Sequence, residues 1–255
     1  MNILYKLSII FGPIIALIVI ILLLVTNKRI KNQDTGEDKK KKINKIIIVL
    51  LVAVIVIFGL FVVSMGVMVY NNVADKPIIY LYPDEETEIE VKLAYPEKLT
   101  CTYPKYENGW NVLASPNGDL VDLKTGRSLY GLYWEGINTV KCPMDEGFVV
   151  KDEETIQFLE EKLTTLGLIE REANEFIIYW LPKLEKNKYN FIRFETLEEI
   201  NENMPLEITP EPDSIIRVMM EYKPLNKAIE VKEQELTTPT REGFTVVEWG
   251  GTEIK

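Results

Sequence analysis

The chain has 255 residues, with 29 Lys and Arg against 39 Asp and Glu and not one His. Nine of the basic and three of the acidic residues fall in residues 1–70, so residues 71–255 carry 20 and 36 and a net charge of −16, a field that opposes binding to nucleic acid phosphates. The missing His removes the commonest zinc ligand, the usual general base near neutral pH and every Ser-His or Cys-His nucleophile pair.

Residues 7–25 (LSIIFGPIIALIVIILLLV) and 46–70 (IIIVLLVAVIVIFGLFVVSMGVMVY) are uncharged runs of 19 and 25 residues. At about 1.5 Å per residue each is long enough to cross a bilayer as a helix. A secretory leader is the competing reading of the first run, but TNKRIKNQ follows it in place of a small-residue cleavage site. Loop 26–45 holds Lys28, Arg29, Lys31, Lys39, Lys40, Lys41, Lys42 and Lys45 against three acidic residues. Short loops rich in Lys and Arg stay in the cytoplasm. Residues 1–70 are therefore expected to form a transmembrane hairpin in the cell membrane, with the loop cytoplasmic and both termini outside. The lipid bilayer is its first partner.

After a linker at residues 71–76, residues 77–255 are expected to form one extracytoplasmic α+β domain, β-rich, a meander or small sandwich with two helices. KPIIYLYP opens it. In ETEIEVKLAYP, Ile89, Val91 and Leu93 alternate with charged residues and mark a half-buried strand. LTCTY, WNVLA, DLVDL and SLYGLYW follow, separated by turns at Asn108-Gly109, Asn117-Gly118 and Thr125-Gly126. In KDEETIQFLEEKLTTLG, Ile156, Leu159, Leu163 and Leu166 recur at helical spacing, with Asp152 as a cap and Gly167 as a stop. EREANEFIIYWLPKLE places Ala173, Phe176, Ile177, Trp180, Leu181 and Leu184 on one face, and Pro182 predicts a kink or an end near Leu181. Strands return in YNFIRFE, MPLEIT, SIIRVMMEY, AIEVKE and GFTVVEW.

KPIIYLYP, LTCTYP…NGWNVLASPNGDL, LGLIEREANEFIIYWLPKLEKNKYNFIRF, IIRVMMEYKPL and GFTVVEWGGTEI together resemble the landmarks of a mainly bacterial protein family that has no assigned function. The resemblance covers roughly residues 76–254. It implies no activity, and the hairpin lies outside it.

Without His, acid–base chemistry falls to carboxylates, Tyr or Lys. Glu135 follows Tyr133-Trp134 and Glu248 precedes Trp249; a glycosidase needs such a carboxylate pair about 5–9 Å apart, one of them raised in pKa. The bland alternative is that each merely ends a strand. Arg193 and Arg217 are lone cations in apolar strands: either a clamp for an anionic ligand or half of an internal ion pair. Among Tyr80, Tyr82, Tyr103, Tyr106, Trp110, Tyr130, Tyr133 and Trp134, exposed rings would stack on a sugar or a partner, with Trp110 and Trp134 the candidates; buried ones would be core. Asp84-Glu85-Glu86 and Asp152-Glu153-Glu154 lack the spacing of a calcium loop. Neither a Gly-rich phosphate loop nor a Cys pair at metal spacing occurs, so no metal or cofactor is expected. Cys101 and Cys142 are either two thiols or one disulfide, whose loop would contribute on the order of 3–4 kcal/mol.

The expected function is a membrane-anchored extracytoplasmic binding or interaction domain of unknown ligand, with an envelope protein or a glycan as the candidate partner. One alternative is a carboxylate-based, glycan-acting enzyme of the cell envelope working through Glu135 and Glu248. Another is an accessory subunit of a membrane complex.

Overall fold

The computed structural model describes Ile48, residues 73–138 and residues 143–254, and for Val73 and Ala74 the backbone alone. The two expected membrane spans, the Lys-rich loop and Cys142 lie outside the described residues, Ile48 excepted. Among the described residues no helix is long and apolar enough to cross a membrane. The chain divides into units Met1–Tyr70 and Asn71–Lys255, and the architecture below is that of the second.

Thirteen strands in the described residues form two sheets. The larger contains β1 (Val73–Tyr82), β3 (Leu99–Tyr103), β7 (Leu132–Ile137), β8 (Glu146–Lys151), β9 (Tyr189–Phe194), β11 (Ser214–Leu225), β12 (Lys232–Glu233) and β13 (Thr245–Glu253). Its order is β12-β8-β9-β11-β13-β1-β7-β3. It is mixed: β11 runs parallel to β13 and β12 parallel to β8, and the other pairs are antiparallel. The smaller sheet, β10-β2-β4-β5-β6, is antiparallel throughout. It joins a meander of β2 (Thr87–Leu93), β4 (Trp110–Ala114), β5 (Leu120–Asp122) and β6 (Ser128–Leu129) to β10 (Leu206–Thr209).

Three layers result. Helices α1 (Thr155–Thr165) and α2 (Glu170–Leu184) cover one face of the large sheet. Leu159, Leu163, Ala173, Phe176, Trp180 and Leu184 meet sheet residues such as Ile78, Tyr80, Ile192, Val218, Val247 and Trp249 there. On the other face Ile79, Leu81, Leu132, Trp134 and Val246 pack against Ile89, Val91, Leu93, Trp110, Val112 and Leu120 of the small sheet. The α+β class and the strand-rich domain expected from the sequence are what the chain forms, with the meander as one leaf of a sandwich.

Four local readings change. SLYGLYW is not one strand: β6 and β7 belong to different sheets, and Gly131 makes the crossing where an added Cβ would lie 2.8 Å from Ile78 Cγ1. Pro182 does not end α2 at Leu181: it sits in the last turn of a helix that runs to Leu184, and the carbonyl it leaves without an amide donor is that of exposed Ile178. Asp152 opens a 3-10 turn, Asp152–Glu154, and does not cap α1, whose end is a Schellman turn. There Leu168 N–H donates to Leu163 O (3.1 Å) and Gly167 N–H to Thr164 O (3.0 Å), with Gly167 at φ +86°. A third helix, α3 (Leu197–Asn203), had a legible signature in its Thr196-x-x-Glu199 capping box, with Glu199 N–H donating to the Thr196 hydroxyl and Thr196 N–H to the Glu199 carboxylate. Its seven residues are too few for a hydrophobic period to emerge.

Candidate interaction groove

The residues singled out for chemistry occupy three different places. Ile79 of β1 stands opposite Glu248 on one side and Leu132 on the other. Side chains alternate along a strand, so Glu248, Ile79, Leu132 and Trp134 share the face turned to the small sheet, while Tyr133 and Glu135 point to the helix face. Glu135 and Glu248 thus lie on opposite faces of the large sheet and form no pair. Glu248 is fully buried, accepting from Arg217 Nε (2.7 Å) and Trp134 Nε1 (2.8 Å). Glu135 accepts from the Tyr133 hydroxyl at 2.5 Å.

Both arginines are likewise spoken for internally. Arg217 also donates to Asn201 Oδ1 (2.7 Å) and to the carbonyl of Met204 (2.9 Å). Arg193 forks onto both oxygens of Glu199 (2.7 and 2.8 Å) and reaches Glu221 on the adjacent strand at 3.1 Å. These two guanidinium groups fasten α3 and the chain after it to the large sheet. A small cavity of about 10 Å³ lies beneath, lined by Trp134, Asn138, Glu195, Thr252 and neighbours. Burial, with the carboxylates of Glu221 and Glu199 nearby, pushes Glu195 up to about 8. Glu195 Oε1 accepts from Asn138 Nδ2 at 3.3 Å, and Oε2 is buried with no partner. This polarity locks one layer to the next.

The aromatic residues divide in the same way. Trp110 and Trp134 are buried, and Trp110 Nε1 donates to the carbonyl of Pro104 (2.9 Å). Tyr80 is buried, Tyr82, Tyr106 and Tyr133 are half-buried, and only Tyr103 and Tyr130 of the group stand exposed. Cys101 is exposed on β3, opposite Glu135; its candidate partner Cys142 lies outside the described residues. Asp84, Glu85 and Glu86 are exposed, as are Glu153 and Glu154. Among the described residues no three His, Cys, Asp or Glu side chains are placed to hold a metal.

A concave surface falls elsewhere, at the rim of the large sheet, where Glu154 alone had been singled out. A groove of about 550 Å³ runs between α1 and the outer edge of β8. Four successive β8 residues, Gly147 to Val150, form its floor; Glu154, Gln157, Phe158, Glu161 and Lys162 form one wall, and Ile229, Glu230, Val231 and Glu233 the other. Phe148 and Phe158 meet edge to face with centroids 5.1 Å apart, and Lys162 Nζ lies 5.1 Å from the Phe148 centroid. Sequence reasoning missed this site because no strand had been assigned to residues 146–150, which form most of β8. The signal that could have found it is GFVVK, an apolar run ahead of the helix.

No known protein family, curated protein or solved structure matches this chain. Function must therefore be read from the geometry.

Proposed function

We propose that the Asn71–Lys255 unit is an extracytoplasmic interaction module, tethered by the N-terminal membrane hairpin, that holds a protein partner in the groove between α1 and β8. The observation that carries this reading is the combination found there. A strand paired on its outer side only at Glu146 and Gly147 lines an open cleft with four successive residues, and aromatic and aliphatic side chains sit beside exposed carboxylates. Binding clefts have this composition, apolar surface with a few polar groups that fix orientation. The carboxylates and guanidinium groups that chemistry would need are engaged in the core instead, Glu248 with Arg217 and Glu199 with Arg193. The tether would keep the partner within reach of the outer membrane surface.

A photoreactive phenylalanine analogue placed at Gln157, an exposed groove residue, tests this in intact membranes, with Ile178 on the open face of α2 as control. The expected result is a discrete adduct from position 157 and none from 178. Equal labelling from both positions, or none from 157, would discard the groove as the docking site.

A further inference from the structure

On the reading that this groove docks a partner, we infer that its occupant is an extended, basic peptide segment that adds a strand to the outer edge of β8. The edge is open by construction. On its inner side β8 pairs with β9 from Phe148 to Lys151. On its outer side β12 pairs only at Lys232↔Glu146 and Glu233↔Gly147. After Glu233 the chain leaves, and the Gln234 amide turns inward to bond the backbone N–H and carbonyl of Phe194 (3.0 and 2.7 Å). Among the described residues Phe148 to Lys151 therefore have no neighbouring strand on this side over about 13 Å, bordering the groove.

An uncovered strand offers a row of backbone donors and acceptors, which proteins ordinarily blunt with proline, charge or a covering element. Phe148 to Val150 carry neither proline nor charge, and among the described residues no strand pairs with their outer side; Lys151 follows at the end of the run. Strand addition draws affinity from main-chain hydrogen bonds and specificity from pockets for alternate side chains. Here one set of alternate side chains would enter the space beside Phe148, Phe158 and Ile229.

Charge selects the sequence of the occupant. The walls carry Glu154, Glu161, Glu230 and Glu233 against Lys162, which is itself bound to Glu161 at 2.9 Å. The residues from 71 onward hold a net charge of −16. Lys or Arg alternating with small apolar residues is the complementary pattern, and the same field would speed its capture.

The test uses the full chain in nanodiscs of zwitterionic lipid, so that a basic probe has no anionic surface to bind. The probe is a fluorescein-labelled nonapeptide of alternating Lys and Val. It is compared with its Glu–Val counterpart and with two versions N-methylated on the odd or the even backbone amides. Saturable binding of the Lys–Val peptide is expected, with none of the Glu–Val form. One N-methyl set should weaken it at least about tenfold and the other should be tolerated, because only one edge of an added strand faces β8. Combining E154Q, E230Q and E233Q should raise Kd at least about fivefold at low salt and flatten its salt dependence. An E88Q/E90Q/E207Q triple on the small sheet should change nothing. Equal binding of both N-methylated peptides, or indifference to the groove triple, overturns strand addition. If position 157 captures a partner that excess Lys–Val peptide does not displace, the groove reading stands and the strand-addition inference falls.

Discussion

Arg217 and Glu248 stand opposite each other on the parallel strands β11 and β13, Nε to Oε2 at 2.7 Å, both sealed between the two sheets. Neither has water to fall back on, so each makes the other tolerable. Removing one partner of a buried pair leaves an uncompensated charge, which costs about 3–5 kcal/mol, whereas replacing both with apolar residues is often nearly neutral. E248A should therefore destabilise this unit by about that amount, more so because Trp134 Nε1 loses its acceptor as well. The double variant R217M/E248L should recover most of the loss. All four tryptophans, Trp110, Trp134, Trp180 and Trp249, lie beyond residue 70, so denaturant titration of the full chain in detergent, followed by Trp fluorescence, reads this unit selectively. A double variant as unstable as E248A would contradict the account.

Two nearby carboxylates titrate in opposite senses. Glu195 is raised from the ordinary 4.5 to about 8 by burial, together with Glu221 and Glu199. Between those values the unfolded chain releases the proton while the folded chain retains it, so this contribution to stability is present below about pH 4.5 and is lost as pH rises to 8. Burial also pushes Glu199 upward, but the Arg193 fork and the Thr196 N–H outweigh it and hold the carboxyl below the usual range. Its contribution is present at neutral pH and is lost as pH falls below the ordinary carboxylate value. E195Q should accordingly stabilise the domain at pH 8 by a few kcal/mol and leave it nearly unchanged at pH 4.5. Unfolding curves of parent and variant across that range check this; a constant difference would show that Glu195 does not titrate.

The turn joining α1 to α2 depends on Gly167. Its φ of +86° is disfavoured for any side chain, and an added Cβ would sit 2.7 Å from Pro239 Cγ. G167A should cost at least about 1–2 kcal/mol, visible as a lower Tm. G126A is the informative control, because Gly126 has φ +70° but open space around its Cβ position. It should therefore lose less.

Orientation of the domain is testable through Cys101, which is exposed on β3. In a C142S background it is the only thiol in the chain. A membrane-impermeant maleimide should label it to the same extent in spheroplasts as in permeabilised cells if the Lys-rich loop fixes the domain outside. Labelling only after permeabilisation would reverse the topology.

The sequence by itself determined the local elements, because their signals have short periods. Ile89, Val91 and Leu93 alternate and are all buried. Leu159 and Leu163, and Ala173, Phe176, Trp180 and Leu184, recur at helical spacing and face the large sheet. The acidic character of residues 71–255 and the lack of His are likewise matters of composition. Only the tertiary structure decided which residues meet. Whether Glu135 and Glu248 share a face depends on the ladders of β1 with β7 and β13, and Trp249 Nε1 reaches the Tyr80 hydroxyl across 169 residues of chain. Which carboxylate among 36 each arginine engages is set by strand order, with β11 beside β13 and β9. The open edge of β8 is of the same kind: a strand's hydrophobicity can be read along the chain, but whether it has one neighbour or two is a property of the assembled sheet.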